Sequence, residues 1–180
     1  PEANFVSPPA DITITCENIP NLVNETLSYT NGGNGSCLIS GAIPPTTIVG
    51  TPSICGATIV KTWNVTDICD RLITHTQTVT ITPSNPAVFL NPPANVTLNC
   101  DQALTYTPQS LNYSNNSTGG CLIQGSAAPN FTNNVTICGG SYNVTYTFTD
   151  VCNRTINHNY TVTILPPPPA AFVNPPGNLN

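Results

Sequence analysis

The chain has 180 residues, a net charge of −5 and only three basic side chains, Lys61, Arg71 and Arg154. Charged residues make up 6% of it, which excludes the basic footprint of a nucleic-acid-binding protein. No apolar run is long enough to span a bilayer, so no membrane insertion is expected within this segment.

The first element, "DITIT" at residues 11–15, alternates and points Ile12 and Ile14 inward. Cys16 closes it. "ETLSYT" and "CLISGAI" read as further strands, and residues 44–54 leave room for one or two short ones. "ATIVKTWNVTD" at residues 57–67 is the strongest strand. Ile59, Lys61, Trp63 and Val65 share one face; Thr58, Val60, Thr62, Asn64 and Thr66 share the other. "RLITHTQTVTI" follows, with Ile73, His75, Gln77, Val79 and Ile81 opposite a row of threonines, Thr74, Thr76, Thr78 and Thr80. No segment sustains a helical period. Regularly spaced strands separated by Gly, Pro and Asn turns predict an all-β fold, an antiparallel sandwich.

The second half repeats the first. Phe5, Phe89 and Phe172 lie 84 and 83 residues apart. Cys16, Cys37, Cys55 and Cys69 correspond to Cys100, Cys121, Cys138 and Cys152, and His75 corresponds to His158. "CLISG" returns as "CLIQG", and "TDICDR" as "TDVCNR". Residues 1–82 and 83–165 therefore read as two tandem modules, and 166–180 as a Pro-rich linker with the start of a third. "PPGNLN" at the end matches "PPADIT" and "PPANVT", as expected for a slice of a longer repetitive protein. The second copy resolves the faces of the strongest strand. Tyr142, Val144, Tyr146 and Phe148 stand where Ile59, Lys61, Trp63 and Val65 do, so that face is the core, with Lys61 expected to snorkel at its edge. In the next strand Ile156, His158, Tyr160, Val162 and Ile164 fill the inward positions. "ITPSNPA" and "ILPPPPA" join the modules as stiff polyproline II spacers. A Phe before each Pro-Pro fits an intermodule anchor, which nominates Phe5, Phe89 and Phe172.

Four cysteines per module at fixed spacing point to disulfides and an oxidising compartment, extracellular or at the cell surface. Zinc is disfavoured, because there is no C-x-x-C and each module has one His. If modules join end to end, Cys16 and Cys55 lie at one pole, and Cys37 and Cys69 at the other. The expected pairs are then Cys16–Cys55 and Cys37–Cys69, with Cys100–Cys138 and Cys121–Cys152 in the second module. One strand fewer in residues 44–54 would favour Cys16–Cys69 with Cys37–Cys55 instead.

Twelve Asn-x-Ser/Thr sequons occur: Asn24, Asn34, Asn64, Asn95, Asn112, Asn115, Asn116, Asn130, Asn134, Asn143, Asn153 and Asn159. Asn64, Asn95, Asn143 and Asn159 fall on strand faces that read as outward, where a covalent glycan must project. The plainer account is that asparagine is polar and faces water in any case.

Chemistry is sparse. His75 and His158 lie on inward faces with no fixed acidic neighbour and read as hydrogen-bonded structural residues. Asp67 and Asp150 read as turn caps. No catalytic residue, metal site or cofactor is expected.

The order "PPADITITC … SYTNGGNGSCLISG … CGATIVKTWNVTDICDR" resembles the four-cysteine HYR-like, immunoglobulin-like repeats of very large secreted or surface proteins, especially adhesins of Bacteroidota. The resemblance spans both modules and implies tandem immunoglobulin-like, disulfide-stapled sandwiches in a long surface array, with no catalytic residues. Two features depart from it: the common "DACG" turn is "DICD" and "DVCN" here, and the sequons are dense. The leading reading is a non-enzymatic structural segment of a glycosylated extracellular fibre or stalk, whose partners are neighbouring copies and covalent glycans. The alternatives are adhesin modules that bind a surface or carbohydrate, and accessory modules of a secreted enzyme.

Overall fold

A computed structural model describes residues 1–132, 135–136, 139–171 and 173. The chain is all-β apart from short helical turns. It divides into two compact units: unit 1 is Pro1–Pro86 with Asn115–Ile123, and unit 2 is Ala87–Ser114 with Gln124–Asn180. The units differ from the sequence repeats in that residues 83–86 and a nine-residue loop of the second repeat, Asn115–Ile123, belong to unit 1.

Unit 1 contains β1 (Asn4–Phe5), β2 (Ile12–Thr15), β3 (Leu27–Thr30), β4 (Ser40–Ile43), β5 (Thr47–Val49), β6 (Ala57–Thr66) and β7 (Leu72–Thr82). They form two sheets, ordered β1-β3-β4 and β2-β7-β6-β5. The threonine-rich alternation of β6 and β7 explains why these two strands are the longest and pair through ten residues, Ala57↔Ile81 to Thr66↔Leu72. Each presents branched or aromatic side chains to one face and short polar ones to water. Ile59, Lys61, Trp63, Ile73, Gln77, Val79 and Ile81 are buried, and Thr58, Asn64, Thr66, Thr74, Thr76 and Thr80 are exposed. Phe5 of one sheet meets His75 of the other edge-on at 6.3 Å, an arrangement that fits a sandwich.

Unit 2 contains β8 (Val88–Phe89), β9 (Val96–Leu98), β10 (Leu111–Ser114), β11 (Gln124–Ala127), β12 (Asn130–Phe131), β13 (Gly140–Thr149) and β14 (Thr155–Ile164). The sheet orders are β11-β10-β8 and β12-β13-β14-β9. Tyr142, Val144, Tyr146, Tyr160, Val162 and Ile164 form its core with Leu98, Leu111 and Ala127. Burial pushes the phenols of Tyr142, Tyr146 and Tyr160 above their ordinary titration range.

Two expectations are corrected. The sheets are not wholly antiparallel: β2 runs parallel to β7 (Ile12↔Val79) and β9 parallel to β14 (Val96↔Val162). The chain thus enters each unit at one end and leaves it at the other. Ile12 is 42% exposed, because its strand lies at the sheet edge, whereas Ile14 is half-buried. Residues 44–54 supply one strand, β5, within the one or two expected.

The segments after β2 and β9 are helical turns of different kinds. Cys16–Asn21 is a 3-10 helix containing Pro20. Cys100–Thr105 is an α-helix, α1, closed by a capping box in which the Asn99 side chain accepts from the Gln102 amide and Gln102 reaches back. That reciprocal cap satisfies two amides that a short helix otherwise exposes.

Candidate functional site

The residues that could carry function are the cysteine loops and the exposed asparagines. Each cysteine loop is built on an asparagine. Asn31 accepts from the amides of Gly33 and Ile39, both at 2.9 Å, and donates to the Cys37 carbonyl at 2.9 Å. Asn115 does the same in the second repeat, accepting from Ser117 (3.2 Å) and Ile123 (2.9 Å) and donating to the Cys121 carbonyl (2.8 Å). The 3-10 turns that follow open on Gly35 and Gly119, at φ of 57° and 53°, a left-handed conformation that glycine adopts without steric cost.

The second cysteine turn rests on an aspartate. Asp67 accepts from the amides of Cys69 (2.8 Å) and Arg71 (3.1 Å) and from the Arg71 guanidinium (2.9 Å). Asp150 repeats this with Cys152 (2.8 Å) and Arg154 (2.9 Å to the amide, 2.8 Å to the guanidinium). Both aspartates are turn caps, as the sequence suggests. The Arg71 guanidinium holds the Asp67 carboxyl below its ordinary value of 3.8. For Asp150, burial alone would raise the value, but the Arg154 amide and guanidinium and the Cys152 amide outweigh it, and the carboxyl titrates low. A carboxyl depressed in the folded state adds stability above its unfolded pKa and loses it as pH falls through the lower folded value. Acid unfolding followed below about pH 4 should therefore be shallower in Asp67→Asn than in the wild type. Parallel curves would show that the turn does not couple to stability.

The disulfides differ from expectation. Cys16 bonds Cys121, with Cα atoms 5.7 Å apart and 105 residues between them in sequence. The pairings Cys16–Cys55 and Cys121–Cys152 are therefore both incorrect, although Cys55 and Cys152 are themselves disulfide-bonded. Cys37 and Cys69 are exposed free thiols, so the Cys37–Cys69 pairing is incorrect too. The expected pairs assumed that each repeat closes on its own cysteines. Instead the Gly119–Cys121 turn packs against Cys16–Asn21, and both sulfurs are buried beside Ile59, Val79 and Ile81. The Cys100 thiol donates to the Leu165 carbonyl at 3.4 Å; Cys138 lies outside the described residues, and with it the Cys100–Cys138 pair. The donor atoms of Cys16, Glu17 and Cys121 lie within 4.8 Å of one another, but the disulfide uses both sulfurs.

Ten sequon asparagines are exposed: Asn24, Asn34, Asn64, Asn95, Asn112, Asn116, Asn130, Asn143, Asn153 and Asn159. Asn134 lies outside the described residues. Asn115 is a correction. It is 6% exposed, and its amide nitrogen, the atom a glycan would occupy, donates to the carbonyls of Asn85 (3.1 Å) and Cys121 (2.8 Å). Asn31 plays the same part without being a sequon, which marks this position as structural.

Phe5 and Phe89, nominated as intermodule anchors, each have ring partners inside their own unit. Phe5 pairs in register with Tyr29 and touches its ring at 6.4 Å. Phe89 packs on Tyr113 (6.4 Å) and Tyr146 (6.2 Å). Each is fixed inside its own unit by the short strand that carries it. Phe172 lies outside the described residues.

His75 and His158 bond the carbonyls of Pro9 and Pro93, each at 2.8 Å. They hold the Pro-Pro segment ahead of the first long strand of each repeat against the last. Lys61 does not snorkel at the edge. It is 5% exposed, donates to the Val23 carbonyl, and lines a cavity of about 200 Å³ with Leu22, Asn24, Ile48, Gly50, Pro52 and Ile59. The one signal for this was the valine at the equivalent position, Val144.

No protein-family model and no curated protein sequence matches the chain. The disulfides fit an oxidising compartment. No helix among the described residues is long and apolar enough to cross a membrane.

Proposed function

We propose that the chain is a non-enzymatic structural segment of an extracellular, heavily glycosylated fibre or stalk, built from end-to-end immunoglobulin-like modules of the HYR-like type. The observation that carries this reading is the placement of the sequons. Asn64, Asn143 and Asn159 are exposed on β6, β13 and β14, among the outward side chains of strands whose other faces form the cores. Asn95 stands exposed just before β9, its side-chain oxygen accepting from the Thr161 amide at 2.8 Å, which leaves the amide nitrogen for a sugar. The parallel pairs β2 with β7 and β9 with β14, which lead the chain in at one end and out at the other, suit a linear array.

An adhesive use of the "NYSNNSTGG" loop is less well supported, because Ser114 and Asn115 within it are buried. The test is the intact mass of native material before and after enzymatic removal of N-glycans, with site mapping. The expected result is occupancy at several of the ten exposed asparagines and none at Asn115. Bare asparagines throughout would overturn the glycosylated-fibre reading.

A further inference from the structure

One charge in unit 1 has no structural counterpart in unit 2. Lys61 lies on the inward face of β6, between Ile59 and Trp63, and is buried. Lysine is almost never buried this deeply without a partner for its charge. Arg71 and Arg154 form ion pairs with Asp67 and Asp150, whereas among the described residues Lys61 forms none. An ammonium carries three donors, and the Val23 carbonyl accepts from one of them. The second repeat shows that the fold does not need this charge. Val144 stands at the matching position and is fully buried. The carbonyl that matches Val23 belongs to Thr107, and there the neutral Gln109 side chain donates to it at 2.9 Å. Holding that carbonyl therefore does not account for a buried cation.

What lies beside Lys61 is the cavity of about 200 Å³. Ile48, which pairs in register with Lys61 across β5 and β6, forms one wall. Leu22, Pro52 and Ile59 supply further apolar surface. Asn24, Ile48 and Pro52 are exposed, so the cavity opens to the surface, while Ile59 and Lys61 at its base are buried.

We propose that this cavity binds a small aliphatic carboxylate. The head group accepts from the Lys61 ammonium, and the tail lies against Leu22, Ile48, Pro52 and Ile59. A charge-assisted hydrogen bond of this kind is about twice as strong as a neutral one, and a low local dielectric strengthens it further. A dry apolar cavity of about 150 Å³ holds benzene, so the volume here suits an acid of roughly four to six carbons. Inorganic phosphate suits it less, because the other polar side chain of the lining is the Asn24 carboxamide and the rest are apolar. The site lies within unit 1 and does not depend on the fibre reading.

The test uses the full chain, isotopically labelled, from a host that forms disulfides and adds no N-glycan, so that Asn24 at the rim stays bare. Sodium hexanoate is titrated at constant ionic strength and followed by nuclear magnetic resonance. The expected result is a saturable set of shifts confined to Leu22, Asn24, Ile48, Ile59 and the Lys61 side chain. Hexan-1-ol lacks the charge and acetate lacks the tail, and each should bind weaker by about tenfold or more. Lys61→Val, which copies the second repeat, should keep the Trp63 fluorescence of the folded chain and lose hexanoate affinity by about tenfold or more. Lys61→Met, which keeps the length of the side chain, should do the same. The wild-type comparison of hexanoate with hexan-1-ol decides the matter even where a variant does not fold. The absence of saturable shifts, equal binding of hexan-1-ol, hexanoate affinity retained in either folded variant, or equal shifts around Val144 would each sink the site. So would a Lys61-dependent dimer in sedimentation, which would give the cavity to an acidic side chain of a second copy.

Discussion

Replacing Cys16 with alanine should lower the stability of unit 1 by roughly 2–4 kcal/mol. The bond to Cys121 closes a span of 105 residues. Cutting it returns loop freedom to the unfolded chain, a term that grows only slowly with span. The substitution also trims a packed position, since Cys16 and Cys121 are 4% and 0% exposed against Ile59, Val79 and Ile81. The chain has one tryptophan, Trp63, and it lies in unit 1. Its fluorescence in a denaturant titration therefore follows the unit that the bond closes. Cys121→Ala should cost about the same, and the double variant little more than either, because partners in one bond are not additive. Two losses that sum in the double variant would mean that the sulfurs act separately and the bond is not formed. Hydrogen exchange gives a local readout: with the bond gone, the Cys121, Leu122 and Ile123 amides should exchange faster while those of β6 and β7 hold, since local opening follows the loss of local ties.

That bond also marks where sequence reading stops. The period-two pattern of β6 and β7 was legible because each face is chemically uniform, and because Tyr142, Val144 and Tyr146 in the second copy show which face is apolar. The turn caps were legible because Asp67 and Asp150 sit at the same place before a cysteine. The pairing of Cys16 was not, since equal spacing in both repeats cannot distinguish a cysteine that closes within its own repeat from one that reaches the next. Asn115 misled for a related reason: a sequon records three residues, while its burial depends on the carbonyls of Asn85 and Cys121 reached across a loop. The pairing of Phe5 and Phe89 inside their own units was not legible, because strands of two residues leave no periodic trace. The parallel pairing of β2 with β7 is likewise invisible to side-chain alternation, which is the same for either direction.

Trp63→Ala should be the most damaging single change in β6, costing about 3–5 kcal/mol. The side chain is fully buried, its ring lies 5.7 Å from that of His75, and its indole N–H donates to the Glu25 carbonyl at 3.0 Å. Truncation removes the largest side chain of the unit 1 core, opens a cavity, and leaves the Glu25 carbonyl without its donor. The second repeat separates these losses. Tyr146 fills the matching position at 1% exposure, and its hydroxyl donates at 2.7 Å to the carbonyl of Gln109, the residue matching Glu25. Two chemically different aromatics thus satisfy one backbone carbonyl from the same place. Trp63→Phe should then keep most of the packing and lose the hydrogen bond, about 1 kcal/mol, with some further loss from the smaller ring. Trp63→Tyr should do less harm than Trp63→Phe if its hydroxyl reaches Glu25 as that of Tyr146 reaches Gln109. Because these variants lack the fluorophore, circular dichroism and hydrogen exchange in β6 and β7 are the appropriate measurements. A Trp63→Ala protein within about 1 kcal/mol of the wild type would mean that the buried ring does not organise the unit 1 core, since well-packed aromatic truncations cost several times that.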